Sequence, residues 1–180
     1  MKDSFNVQAI VACLVFLGMA TPDVCLAGNG QPEAETRQKL DRDEGLESLR
    51  QKAEQGDANA QRELGLKYLS GRGIQYDYAK AKEWFEKAAA QGHAKAQANL
   101  GDMYYSGRGV PQDYAKAKEW YEKAAAQGYD NAQIDLGNMY YYGKGVPQDY
   151  AKAREWYEKA AAQGNGLARL CLTEMENQGH

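Results

Sequence analysis

The 36 residues from His93 to Gly128 recur, with few changes and no gap, immediately before and immediately after themselves. Asp57–Gly92 and Tyr129–Gly164 place Leu64, Leu100 and Leu136 in step, and likewise Trp84, Trp120 and Trp156. A fixed period of this size commits a chain to a stacked architecture. One unit is too small to bury its own apolar face and must cover it with its neighbours.

Within the central copy, Ala96, Leu100, Met103 and Tyr104 fall at i, i+4, i+7 and i+8, one face of a 3.6-residue period, and predict a first helix, A. Gly107-Arg108-Gly109 and Pro111 end it, since the glycines reach backbone angles other residues adopt poorly and proline has no amide to continue the ladder. Asp113 is placed to cap a second helix, B, with Ala117, Trp120, Tyr121 and Ala124 as its apolar stripe and Gly128 as its left-handed stop. Glu119 and Lys123, four apart on the outer side of helix B, are expected to pair for about 0.3–0.5 kcal/mol.

The run A-x-x-x-L-G-x-M-Y-x-x-G-x-G-V-x-x-D-Y-x-K-A-x-x-W-Y-x-x-A-A resembles the Sel1-like repeat, a relative of the tetratricopeptide repeat, across Asp57–Gly164. The resemblance implies an all-α fold, a right-handed α-solenoid of helix-turn-helix repeats, and a scaffold that binds other proteins. Repeats 57–92, 93–128 and 129–164 are flanked by partial units. At 45–56, Leu46, Leu49 and Ala53 mark an N-terminal capping helix, and at 165–180, Ala168 and Leu172 echo Ala132 and Leu136 in a C-terminal one whose Thr173 and Glu176 suit a watery far side.

Ahead of these lie a leader and a polar segment. Lys2, the apolar run Ala9–Ala20 and Cys25-Leu26-Ala27 read as a signal peptide over 1–27 cut after Ala27, with export to the periplasm or beyond. A run of about 12 residues is shorter than the ~20 that span a bilayer, so no membrane insertion is expected after cleavage. Residues 28–44 are charged, hold an isolated Leu40, and are expected to be a flexible lead-in. Loss of Lys2, Asp3 and Asp23 takes 22 basic residues to 21 and 25 acidic ones to 23, leaving a mature charge of −2. Without a basic stripe, nucleic acid is not an expected partner.

Small residues at Ala60, Ala96 and Ala132 and at Gly65, Gly101 and Gly137 permit close helix approach, and Trp84, Trp120 and Trp156 are expected to bury most of their rings against the next layer. Gly71, Gly73, Gly107, Gly109, Gly143 and Gly145 are structural turn residues. They lack the preceding strand and third glycine of a phosphate-binding loop.

Helix B is almost invariant between copies, whereas helix A varies at Arg62/Ala98/Ile134, Glu63/Asn99/Asp135, Leu66/Asp102/Asn138 and Leu69/Tyr105/Tyr141. In solenoids of this architecture the A helices line the concave face. Arg62, Glu63, Leu66, Asn99, Asp102, Tyr105, Asp135, Asn138, Tyr141 and Tyr142 are therefore the candidate partner-binding residues, against the plain alternative that they drift as solvated positions. No catalytic residue, metal site or cofactor is expected: His93 and His180, both read as solvated, have no nearby partner in sequence for a base, nucleophile or metal.

Two functions remain. The first is an exported non-enzymatic adaptor, regulator or immunity-type inhibitor of another envelope protein, roles the resemblance allows. The alternative is a cell-wall enzyme, a penicillin-binding or weak β-lactamase type that the resemblance attaches to cysteine-rich relatives with a cysteine pair in each repeat. No repeat here has such a pair. Cys171 is the one thiol of the expected mature chain, which is read as a monomer. It either packs in the terminal cap or stands exposed, where it would permit a disulfide-linked dimer.

Overall fold

The computed structural model describes residues 44–179. The leader, its cleavage site, nearly all of the lead-in, and His180 lie outside the described residues.

Eight helices follow one another, and the described residues contain no strand. They are α1 (residues 44–54), α2 (Ala58–Ser70), α3 (Tyr78–Ala90), α4 (Ala94–Ser106), α5 (Tyr114–Ala126), α6 (Asp130–Tyr142), α7 (Tyr150–Ala162) and α8 (Gly166–Asn177). The A helices are α2, α4 and α6, the B helices α3, α5 and α7, and α1 and α8 are the partial units. Each helix packs on the one before and the one after, which makes the assembly a helical solenoid.

Local chemistry sets most of the boundaries. Asp77, Asp113 and Asp149 cap the B helices, their carboxylates accepting from the amides of Lys80, Lys116 and Lys152 at 3.0 Å. Each A helix ends on a left-handed glycine, Gly71, Gly107 or Gly143, at φ 70°, 72° and 64°. The loop then folds back, with the amides of Asp77, Asp113 and Asp149 bonded to the carbonyls of Tyr68, Tyr104 and Tyr140 at 2.9 Å.

The core runs as a row of small clusters between layers. Leu64, Leu100 and Leu136 are buried completely or nearly so, as are Phe85, Tyr121 and Tyr157. These three rings, rather than the tryptophans beside them, occupy the centre of each repeat. A Cβ on Gly65 would sit 2.6 Å from a Phe85 ring carbon, and one on Gly101 or Gly137 would sit 2.5 Å from the ring of Tyr121 or Tyr157. Glycine is therefore what lets the A helix ride over the ring.

Three expectations need correction. Trp84, Trp120 and Trp156 bury most of their surface, as expected, but pack toward the preceding layer and not the next, Trp120 against the cluster of Phe85, Leu100 and Met103. Their remaining faces are covered by Lys87, Lys123 and Lys159, with Nζ 3.9, 4.1 and 3.9 Å from the ring centroid. Lys123 thus lies on Trp120 instead of pairing with Glu119, and the ion pair of this helix is Lys118–Glu122 at 2.6 Å. His93 is not a solvated bystander. It caps α4, Nδ1 accepting from the amide of Ala96 at 3.2 Å while Nε2 meets Asn59 Oδ1 at 3.0 Å.

A second recurrent device has no counterpart in the apolar pattern. Gln61, Gln97 and Gln133 are buried, and each accepts from the side-chain amide of the glutamine ending helix B, Gln91, Gln127 or Gln163, at 2.8–2.9 Å. Gln61 and Gln97 also donate to the carbonyls of Ala53 and Ala89 in the preceding helix, at 3.0 and 3.4 Å. Because the partners are supplied in full, these buried amides lock repeat to repeat instead of weakening the core.

Candidate functional site

Three recesses lie in a row along the A helices. The first, about 300 Å³, is walled by Leu69 of α2 and by Asp102, Met103, Tyr105 and Ser106 of α4, with Arg108 beyond. The second, about 280 Å³, brings together three alternate helices: Asn99 and Asp102 from α4, Asn131 and Asp135 from α6, and Leu167 from α8, with Ala98 and Ile134 also lining it. The third, about 430 Å³, lies between α6 and α8 and is lined by Asn138, Tyr141, Tyr142, Leu170 and Cys171 among others. Asp102 belongs to the first two, which join there, and the third is their neighbour on α6, where Asn138 follows Asp135 by about one turn; together they make the groove of the A helices.

Of the residues singled out in sequence, Asn99, Asp102, Tyr105, Asp135, Asn138, Tyr141 and Tyr142 meet in this groove. The first repeat contributes differently. Arg62 spans to the next A helix, Nε donating to Asn99 Oδ1 at 3.2 Å, and Glu63 is exposed. Leu66 is partly buried and packs on the Phe85 cluster, so it supports the core and does not front the groove. Ala98 and Ile134, at the position of Arg62, are 5% and 3% exposed, buried where one A helix meets the next.

Several groove residues also work for the fold. Tyr121 donates its hydroxyl to Asp102 Oδ1, and Tyr157 donates to Asn138 Oδ1, both at 2.8 Å. Tyr105 packs edge-on against Tyr114, with centroids 5.1 Å apart, and Tyr141 does the same with Tyr150 at 5.3 Å. Tyr141 also hydrogen-bonds Gln178 just beyond α8. These tyrosines are held rigidly, which lowers the entropy cost of a contact made through them. Tyr142 is the most open of them, 62% exposed.

The groove floor is acidic. Asp102 is exposed to water on its groove side, yet the protein around its inner side raises its carboxyl above the ordinary value by desolvation, partly offset by the Tyr121 hydroxyl and by Arg108. Asp135 is pushed up to about 7, first by desolvation and then by the charge of Asp102. Burial likewise raises the Tyr121 and Tyr157 hydroxyls, which stay protonated as donors. Cys171 falls between its two expectations: it is partly buried against the cluster of Ile134, Tyr157 and Met175, and desolvation raises its thiol. Among the described residues, no group of three His, Cys, Asp or Glu side chains could hold a metal ion. Nor is any helix among them long and apolar enough to cross a membrane.

The Sel1 repeat profile matches residues 58–93, 94–129 and 130–165. A Sel1 repeat protein from Oxalobacter formigenes is 45% identical with a TM-score of 0.64, over 72% of this chain and 98% of that one. The protective antigen c5321 of uropathogenic Escherichia coli is 39% identical with a TM-score of 0.61, over 74% of this chain and 36% of that one. The secretory immunoglobulin A-binding protein EsiB of E. coli O6:H1 is 49% identical over 43 residues, which span 24% of this chain and only 9% of EsiB. Repeats of this type generally form non-enzymatic scaffolds for protein–protein interaction. With three successive matches covering more than half of its length, the chain belongs to the Sel1 repeat family.

Proposed function

We propose that this protein is an exported, non-enzymatic interaction module that takes a protein partner in the A-helix groove, as an adaptor, regulator or inhibitor in the cell envelope. The observation that carries the reading is the coincidence of variation with shape. Residues that differ between otherwise near-identical repeats, Asn99/Asp135, Asp102/Asn138 and Leu69/Tyr105, line the three recesses, while the B helices change at only two positions, Phe85/Tyr121/Tyr157 and Lys82/Lys118/Arg154. Drift alone would scatter changes over both helices. The immunoglobulin-binding relative supports a protein as the ligand class and nothing narrower. Export rests on the leader read from the sequence.

Two experiments test this reading. N-terminal sequencing of protein from the producing cell is expected to begin at Gly28, and a mature chain starting at Met1 would contradict export. Replacing Tyr105 and Tyr142 together is expected to abolish retention of an envelope protein on the immobilised chain. Replacing Glu119 and Lys123 on the B-helix surface is expected to leave retention intact. Equal loss from both pairs would refute a groove site.

A further inference from the structure

We infer that the groove receives a cationic segment of protein: a Lys or Arg side chain entering between Asp102 and Asp135, with an apolar side chain of the same segment filling the neighbouring recess of Tyr142 and Leu170. The inference rests on the reading of the groove as the binding face, and adds the chemistry of what binds there.

Charge is the first argument. Asp102 and Asp135 come from successive A helices to the floor of one recess, and neither forms an ion pair among the described residues. The B helices keep their own cations engaged elsewhere. On the B helices Lys80, Lys116 and Lys152 pair with the capping aspartates, Lys82 and Lys118 pair with Glu86 and Glu122, and Lys87, Lys123 and Lys159 lie on the tryptophans. Arg62 is bound to Asn99, and Arg108 acts on Asp102 only at longer range. The groove is left acidic, and complementarity calls for a positive partner.

The second argument is that the fold does not need the carboxylate at position 102. Asn138 occupies the same place one repeat later and accepts the hydroxyl of Tyr157 at 2.8 Å, the same bond that Asp102 makes with Tyr121. An amide satisfies the tyrosine without the cost of crowding a charge. Keeping two carboxylates together where one neutral acceptor suffices is the local inconsistency expected of a binding position. The third argument is the adjacent recess: about 430 Å³, with Tyr142 62% and Leu170 67% exposed at its edge, it has room for a large apolar side chain.

The experiment uses random peptides displayed on phage and selected on the immobilised full chain. Selected peptides are then synthesised and titrated against the wild type, the Asp102→Asn/Asp135→Asn pair and the Tyr142→Ala/Leu170→Ser pair. The expected result is convergence on peptides with a Lys or Arg near an apolar residue. Their affinity should fall at least about tenfold on the Asn pair and weaken steeply as salt is raised. Thermal unfolding of the Asn pair, expected to be no lower than wild type, separates this loss from misfolding. If the peptides need Tyr142 and Leu170 but bind the Asn pair unchanged, the cationic assignment is wrong and the groove stands. If they ignore both pairs, or nothing is enriched, the groove reading fails and takes this inference with it.

Discussion

Tyr121 and Asp102 are joined by a 2.8 Å hydrogen bond from the buried hydroxyl of helix B to the carboxylate of helix A, and the same two positions are matched in kind in every repeat. They are Tyr157 with Asn138 in the third repeat and Phe85 with Leu66 in the first. A phenol at this buried place demands an acceptor, and a phenyl ring demands a hydrocarbon. Phe85→Tyr alone is expected to cost about 1–3 kcal/mol in urea unfolding, with most of it recovered in Phe85→Tyr/Leu66→Asn. Simple additivity of the two changes would contradict the pairing.

Gly101→Ala tests the packing of helix on ring. Alanine is the better helix former by about 1 kcal/mol, yet its Cβ would come within 2.5 Å of the buried Tyr121 ring. The variant is expected to be less stable than wild type by about 1–3 kcal/mol. In a Tyr121→Leu background the same change should cost much less. A stabilised Gly101→Ala would show that propensity outweighs the contact.

His93 gives the stability a pH dependence of known sign. Its Nδ1 must be unprotonated to cap α4, and desolvation, then the charge of Arg62, lowers its pKa below 6.5. Its contribution is present above 6.5 and is lost as the pH falls through the lower folded value. His93→Asp, which places at α4 the cap that Asp57 makes on α2 at 2.8 Å, removes this loss. The variant's stability relative to wild type is expected to rise from pH 7 to pH 5, and a constant difference would argue against His93 as a cap.

Asp135 has the opposite sign. Its folded pKa, about 7, lies above the ordinary 3.8, so the stability it provides when protonated is lost as the pH rises through that window. Asp135→Asn should match wild type near pH 4 and exceed it by on the order of 1–3 kcal/mol at pH 8. A variant that is more stable yet binds less would have the character of a functional position. A less stable variant at pH 8 would mean the carboxylate is structural.

Much of this architecture is legible in the residues because the period repeats. Leu64, Leu100 and Leu136 in register, the glycine stops and the aspartate caps each appear three times, so local signals reinforce one another. What was not legible depends on which neighbour a side chain meets. Trp120 and Tyr121 are adjacent on one stripe, and only the stacking of layers decides that the tyrosine is central and the tryptophan flanks it under Lys123. Ala98 and Ile134 vary like groove residues and touch the second recess, but the packing of one A helix on the next buries them almost completely. The glutamines Gln61, Gln97 and Gln133 break an apolar face in every copy, a signal that pointed to a buried polar lock and that periodicity alone passes over.

Site-specific photocrosslinking in the producing cell tests the central claim most directly. A photoreactive residue is placed singly at the exposed groove positions Asn131 and Tyr142, and at the exposed B-helix positions Glu119 and Lys123. The account predicts that both groove positions capture the same protein and that the B-helix positions capture none of it. Capture from the B helices at equal or greater yield would contradict the groove as the binding face.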